Sequence, residues 1–397
     1  MKVLISGAGI AGPTLAWWLS RYGMEATIVE RAPRLRTGGY IVDFWGMGFE
    51  VADRMGLLPA IRNQGYLIQE VRVVGGDGKR IAGFPTEVFA RLTGGRFISL
   101  PRSALSAAVF DAMGNGVETA FGDSIAEIEQ DQHLAHVRFE SGARRDFDLV
   151  VGADGLHSRV REIVFGPEPR FEKFLGYRVA AFAASGYRPR DELVYVMYTE
   201  VGQQAARFSM RDDRTMFLFI FADPAREGAE NGDIRAQKAV LRARFGKSGW
   251  ECAKILEALD GTEELYFDRM SQIRMADEPG SWTRGRVTLL GDAAFCVSLL
   301  AGQGSALAMA AAHVLAAELH RTGGDTATAL ARYQERFGTF VRKKQDAALR
   351  MAGSFAPKSK LTMFLRNWVM NLFTVPWIAD LAIKRDLMDH LELPPAS

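Results

Sequence analysis

Residues 3–13 read Val3-Leu4-Ile5-Ser6-Gly7-Ala8-Gly9-Ile10-Ala11-Gly12-Pro13, and after an apolar helical run the stretch closes on Ile28-Val29-Glu30-Arg31. An apolar strand, a G-x-G-x-x-G turn, a helix and a second strand ending in a carboxylate give the order that a βαβ dinucleotide site requires. Gly7 allows the tight turn out of the strand, Gly9 lets the backbone approach a pyrophosphate, and Gly12 lets helix and sheet pack closely. The amides that open the helix, from Ile10 and Ala11 onward, face the phosphate charge. Pro13 falls in the first turn, where its missing N–H costs little. Glu30 ends the second strand where a carboxylate can accept hydrogen bonds from a ribose diol. The motif alone does not separate NAD from FAD, so an NAD dehydrogenase stays open here.

A chain of 397 residues suggests two or three domains with ample core. Its 48% hydrophobic and 24% charged residues are those of an ordinary globular protein. A net charge of +2 gives no reason to expect nucleic acid or acidic lipid as a partner. Only Cys252 and Cys296 occur, so no disulfide framework is expected and a reducing, cytoplasmic setting fits. The histidines lack metal-ligand spacing, so no metal is expected. The chain opens directly in a strand, which leaves no room for a signal peptide. Residues 361–383 are aromatic and apolar, but Arg366, Asn367, Asn371, Pro376 and Asp380 interrupt them, so no transmembrane segment is expected. They read as a closing helix pair, with a membrane-surface helix as the alternative.

Along the chain, 71–74 and 80–84 form a hairpin around the turn 75–78. Residues 96–100 form a strand, and Arg102 opens a helix running to about 113. Strands follow at 117–121, 124–130, 134–139 and 148–152, the last feeding Asp154-Gly155 with Ser158 and Arg161 just beyond. Four strands without an intervening helix (176–187, 193–200, 205–211 and 215–221) argue for a separate sheet layer. A helical pattern covers 233–259 and a strand 264–274. The strand 286–290 feeds Gly291-Asp292, and helices follow from Gly304 to about 320 and over 326–351.

Three stretches stand out: Gly7–Gly12 with Glu30, Asp154-Gly155, and Gly291-Asp292. In this order and spacing, each after a strand, they resemble the single-component FAD-dependent aromatic hydroxylases. That group includes para-hydroxybenzoate hydroxylase and the tetracycline-inactivating monooxygenases. The resemblance covers about the first 350 residues. It implies an α/β fold, with a Rossmann-like FAD-binding domain (1–66, 101–172 and 276–350) interleaved with a β-sheet substrate domain (67–100 and 173–275). Residues 351–397 would form a C-terminal helical segment. Under this reading Gly7–Gly12 hold the FAD pyrophosphate, Glu30 the adenosine ribose, and Arg31 lies along the adenine or pyrophosphate. Arg102 pairs with the phosphates, where a bidentate guanidinium suits the geometry; a solvated helix-start arginine is the plainer alternative. Ile125 joins the cofactor-binding set. Asp154-Gly155 serves FAD and the pyridine nucleotide or is a purely structural turn, braced by Ser158 and Arg161. Asp292 accepts a ribityl hydroxyl or caps a helix, and the helix from Gly304 points its amides at the flavin.

The resemblance also implies a reaction. NADPH or NADH reduces FAD as a transient co-substrate, O₂ adds at the flavin C4a, and the hydroperoxide delivers one oxygen to an aromatic, phenolic or polyketide-like small molecule. The flavin carries that chemistry, so no catalytic side chain is expected. Epoxidation, Baeyer–Villiger oxidation and a non-catalytic flavin sensor are the alternatives on the same scaffold. One departure stands out. Relatives follow the aspartate with Ala-Ala-His and then proline, whereas this chain has Phe295-Cys296-Val297-Ser298-Leu299-Leu300. Candidates to line an apolar substrate pocket are Tyr195, Met197, Phe208, Met210, Phe217 and Phe219, although alternating aromatics on strands are more often simply core. Asp43 and Arg178 could face the same cavity or sit in surface salt bridges.

Overall fold

A computed structural model describes residues 1–36, 38–223, 233–275, 282–298, 302–375 and 391–395, without the side chains of 351–355. Strand Lys2–Ser6 lies parallel to Glu25–Glu30 on one side and Leu149–Gly152 on the other. Glu118–Phe121 and Val287–Leu289 extend this sheet in parallel, and Thr283–Arg284 closes one edge antiparallel. Val3, Leu4, Ile5, Ile28, Val150 and Val151 have no exposed surface. A sheet covered on both faces requires such unbroken apolar strands.

The parallel arrangement has a functional consequence. Ser6, Glu30, Gly152 and Leu289 all end at one edge of the sheet, so the turns that follow them meet there despite their separation in sequence. Helix Ala11–Arg21 packs on strands Lys2–Ser6 and Glu25–Glu30 and against helix Gly304–Arg321. The latter is buried from Ala306 to Leu319, and its alanines allow that close approach.

The second body is a seven-stranded sheet in the order Tyr266–Ile273, Glu172–Ser185, Arg214–Ala222, Gln203–Ser209, Val194–Glu200, Glu70–Val74, Arg80–Pro85. The expected hairpin forms its edge. The four central strands are mutually antiparallel, but Glu172–Ser185 returns beside Arg214–Ala222 rather than beside its sequence neighbour. Side chains alternate across this sheet, apart from irregularities at Phe174/Arg178 and Val73/Val74. Phe182, Val196, Ala205, Phe217 and Phe219 point to one face, which is packed dry against Leu241, Phe245, Ile255 and Leu259. Those four come from helices Ile234–Phe245 and Cys252–Asp260, which the glycine-bounded 246–249 splits from the single helical run expected. Ala181, Phe208, Met216 and Leu218 point to the other face, toward the parallel sheet.

A two-stranded ribbon, Ile41–Trp45 with Phe97–Pro101, joins the two bodies and sets Asp43 opposite Ser99. Past the long helix Thr326–Phe355, helix Lys360–Leu372 lies on the edge strand Arg80–Pro85. The rest of the expected helix pair, from 376, lies outside the described residues. Among the described residues no helix is long and apolar enough to cross a membrane.

Candidate active site

The first wall of the site is backbone. Gly7 has φ +109°, and a Cβ there would meet Ala153 O at 2.5 Å; one on Gly12 would meet Gly7 O at 2.0 Å. Turn, helix and neighbouring strand end therefore pack main chain on main chain. Gly9 differs, because a Cβ there would find only Arg102 Nη2, at 4.0 Å. The helix that follows has no side-chain cap, so its first amides face this open space. Arg102 is anchored by its own N–H, which donates to Tyr40 O at 2.9 Å. Among the described residues its guanidinium makes no hydrogen bond or ion pair. Bare amides under a free guanidinium fit a pyrophosphate.

Glu30 is engaged already. Its Oε2 accepts from Ala8 N–H at 2.8 Å and its Oε1 from Ala32 N–H at 2.9 Å, which locks the turn. Each oxygen keeps a lone pair for a diol. Arg31 beside it is exposed. Ile125 is a correction: it has no exposed surface, because its strand turns the side chain into the core beneath the parallel sheet.

Asp154 and Asp292 divide the roles expected of both. Asp154 Oδ1 accepts from the Ser158 hydroxyl at 2.6 Å, and Oδ2 from the N–H groups of Arg159 (2.8 Å) and Val160 (3.1 Å). That carboxylate fastens the start of helix Arg159–Phe165, which is the structural alternative for the Asp154-Gly155 turn. Arg161 does more than brace it. Fully buried, it donates to Leu156 O (2.7 Å), Ala293 O (3.0 Å) and Glu168 (2.9 Å), tying the 154–158 turn to the 291–293 turn.

At Asp292 the capping reading fails, because Gly291 takes the cap position of the short helix Asp292–Phe295. The Asp292 carboxylate is thereby left to the cavity, hydrogen-bonded with Cys296. Burial raises its pKa, while the charge of Arg102 opposes the shift. Gly304 is next to it, its missing Cβ only 3.6 Å from Asp292 Oδ1, and the helix from Gly304 also lacks a side-chain cap. In the departing loop Ser298 is buried in the left-handed region, at φ +95°, a strain that such sites commonly hold. Leu299 and Leu300 lie outside the described residues.

The second wall is side chain. Tyr40 and Tyr266 meet edge to face at 5.2 Å, and Tyr66 and Phe208 at 5.1 Å. Phe208 and Met210 fall in this cluster, with Tyr195 packed against it. Asp43 Oδ1 accepts from the Ser99 hydroxyl at 2.5 Å. Its residue counts as exposed, yet burial raises its pKa. Asp43 is thus accessible, yet surrounded by enough protein for burial to raise its pKa, as in a recess. Burial, and then the charge of Asp43, raise the Tyr195 pKa, so its phenol stays protonated.

Two candidates face away. Phe219, like Phe217, is on the helix-covered face with no exposed surface. Arg178 shares the parity of Phe182 and is buried in an ion pair with Asp223 at 2.5 Å, over the Phe267 ring. Sheet alternation removes both from the cavity. Reading the sequence missed Tyr40, Tyr66, Ser99 and Tyr266. For Ser99 the signal would have been its register opposite Asp43.

Behind Tyr266, His157 Nδ1 meets Glu168 at 3.0 Å and Nε2 meets Asp268 at 3.3 Å. Asp268, then Glu168, push its pKa up to about 9, so the imidazolium links the two bodies. Among the described residues no His, Cys, Asp and Glu group is arranged to hold a metal.

Comparison with known proteins gives a consistent picture. The model of the FAD binding domain family matches residues 1–347. An uncharacterised protein of Mycobacterium tuberculosis is 37% identical over 347 residues, covering 86% of this chain and 91% of that one. A flavin-dependent monooxygenase from an unknown prokaryotic organism is 32% identical over 359 residues, covering 90% of each. Among solved structures, the tetracycline destructase Tet(51) superposes with a TM-score of 0.82 at 30% identity, covering 99% of both chains.

Proposed function

The chain belongs to the FAD-binding-domain family of flavin-dependent monooxygenases, and from that premise we propose that it uses NAD(P)H and O₂ to hydroxylate an apolar aromatic, phenolic or polyketide-like molecule. FAD, when bound, supplies the electron and oxygen chemistry. The protein's share is binding, orientation and exclusion of water.

At the first wall the amides after Gly9 and the Arg102 guanidinium hold the pyrophosphate, Glu30 the adenosine ribose, and Asp292 a ribityl hydroxyl. Asp154 and Gly155 shape the edge of that groove. The amides opening the helix at Gly304 favour negative charge beside Asp292, as reduction of the cofactor demands. At the second wall Asp43 accepts a hydrogen bond from a substrate hydroxyl with the oxygen that Ser99 leaves free. That bond draws electron density into an aromatic ring and so activates it toward oxygen transfer. Tyr40, Tyr195 and Tyr266, held protonated by burial, supply apolar surface with a few donors.

What supports this reading is the Asp43–Ser99 pair, on the ribbon that runs between Tyr40, whose carbonyl anchors Arg102 over the Gly9 turn, and the Tyr66–Phe208 cluster. A spectrum of the purified protein should show bound flavin. NAD(P)H oxidation should then accelerate with a phenolic or polycyclic ligand, and labelled dioxygen should appear in the product. A chain that stays colourless when offered FAD overturns the cofactor assignment. A yellow protein whose reduced nicotinamide is never consumed points instead to the non-catalytic sensor.

A further inference from the structure

Helix Lys360–Leu372 is attached along one side only. Its inward side carries the half-buried Met363, Asn367 and Met370. Asn371 Oδ1 accepts from Gly83 N–H on the edge strand at 3.1 Å, and Phe373 packs edge to face on Phe84 at 5.6 Å. Outward, Leu361, Phe364, Leu365 and Trp368 are 66, 65, 50 and 55% exposed. Their spacing, i, i+3, i+4 and i+7, makes them one continuous stripe along the helix. Val369 on the same helix is also exposed, whereas the other large apolar side chains left exposed among the described residues, Leu67, Ile81 and Val201, come from separate segments. A contiguous apolar stripe of this kind marks an interaction surface.

In sequence the charge flanking the stripe has one sign. Residues 347–375 contain Arg350, Lys358, Lys360 and Arg366 and no carboxylate, although the whole chain balances 49 basic against 47 acidic residues. Lys358 and Lys360 are exposed at the helix start, which a capping box of Ser359 and Thr362 fixes. The near-neutral total therefore conceals a local basic end.

We propose that this face docks the enzyme on an anionic lipid surface, with Leu361, Phe364, Leu365 and Trp368 sunk among the acyl chains and the lysines among the headgroups. Area decides against a second copy of the chain. Thirteen residues make a helix about 20 Å long, and a strip about 10 Å wide offers about 200 Å² per partner where a stable interface needs about 800 Å². A bilayer sets no such threshold, because each apolar side chain partitions on its own while lysine stems reach up to the phosphates. Since this helix cannot cross the bilayer, it would lie in the interface plane.

The test is co-sedimentation of the full chain, loaded with FAD, with vesicles of phosphatidylcholine alone or mixed with phosphatidylglycerol. Binding should be about tenfold tighter to the mixed vesicles and should weaken with salt. Lys358→Gln with Lys360→Gln should lower it about tenfold, and Phe364→Ser with Trp368→Ser should abolish it. Flavin absorbance and melting temperature should not change in either variant. No binding to either vesicle, or binding that survives both variants, overturns the proposal. So does a concentration-dependent dimer that Phe364→Ser with Trp368→Ser dissolves.

Discussion

The two walls of the cavity are built on different principles. On the proposed nucleotide side most contacts run through main chain: Gly7 and Gly12 touch backbone, Glu30 is held by two amides, and Asp154 by two amides and the Ser158 hydroxyl. On the proposed substrate side they are side chain, with Asp43, Ser99, Tyr40, Tyr195 and Tyr266 brought from four strands or their ends. A backbone-built wall has little freedom to change, because each atom is also part of the fold. A side-chain-built wall can be altered one residue at a time without moving its strands. Cofactor binding and substrate choice should therefore separate cleanly under mutation.

The largest effect should come from the backbone wall. Gly12→Ala forces a Cβ to within 2.0 Å of Gly7 O and should cost about 3–5 kcal/mol of stability along with the flavin. Gly9→Ala is the control. Its Cβ meets no backbone, so the apoprotein should melt near the wild-type temperature while FAD affinity falls, as a flavin titration would measure. If both variants melt alike, the turn is not built as described.

Next comes Arg161→Met. It strips two buried carbonyls and Glu168 of their donor and should cost about 3 kcal/mol in denaturant unfolding. Because Arg161 ties together the two turns that follow Gly152 and Leu289, FAD affinity should fall with stability. Loss of stability with unchanged affinity would separate the two turns.

Asp43→Leu probes the other wall. The pair with Ser99 is lost, yet no backbone contact depends on it, so bound flavin should be retained. The kcat/KM for a hydroxylated substrate should fall about tenfold, or about 1.4 kcal/mol, and less for an analogue lacking the hydroxyl. Phe219→Leu should do the reverse, lowering stability by about 1 kcal/mol with kcat/KM unchanged. An equal response to Asp43→Leu from both substrates would remove Asp43 from substrate recognition.

The same contrast explains what could be read from the chain. The turn 7–12, its strand and Glu30 lie within one short segment, so their geometry is written locally. Parallel strands then bring Asp154 and Asp292 to the same edge. The side-chain wall depends on register and parity, which no single stretch carries. Phe219 and Phe208 look alike in sequence and differ only in the face to which alternation assigns them. Arg178 was misplaced for the same reason. Ile125 sits next to cavity-edge turns but points inward. Tyr266 arrives from a strand far along the chain, and nothing near it in sequence announces Tyr40 as its partner.

A pH-dependent effect of similar size lies at the seam between the walls. His157 is held charged by Asp268, which is on the strand carrying Tyr266, and by Glu168, which also accepts from Arg161. Its pKa is raised in the fold to about 9, against about 6.5 in the unfolded chain. The sign follows from linkage: the folded state holds the proton more tightly, so the contribution is complete below about pH 6.5 and disappears as pH climbs through about 9. Partial exposure of the ring reduces its size to about 1–2 kcal/mol. Unfolding free energy should therefore decline across that interval, and His157→Gln should flatten the decline while lowering stability at pH 6. Because His157 belongs to the 154–158 turn and shares Glu168 with Arg161, while Asp268 is on the strand of Tyr266, KM and FAD affinity should both follow this titration. A variant that keeps the wild-type slope would show that the charge of His157 adds nothing to the joint, which Arg269–Glu168 also bridges.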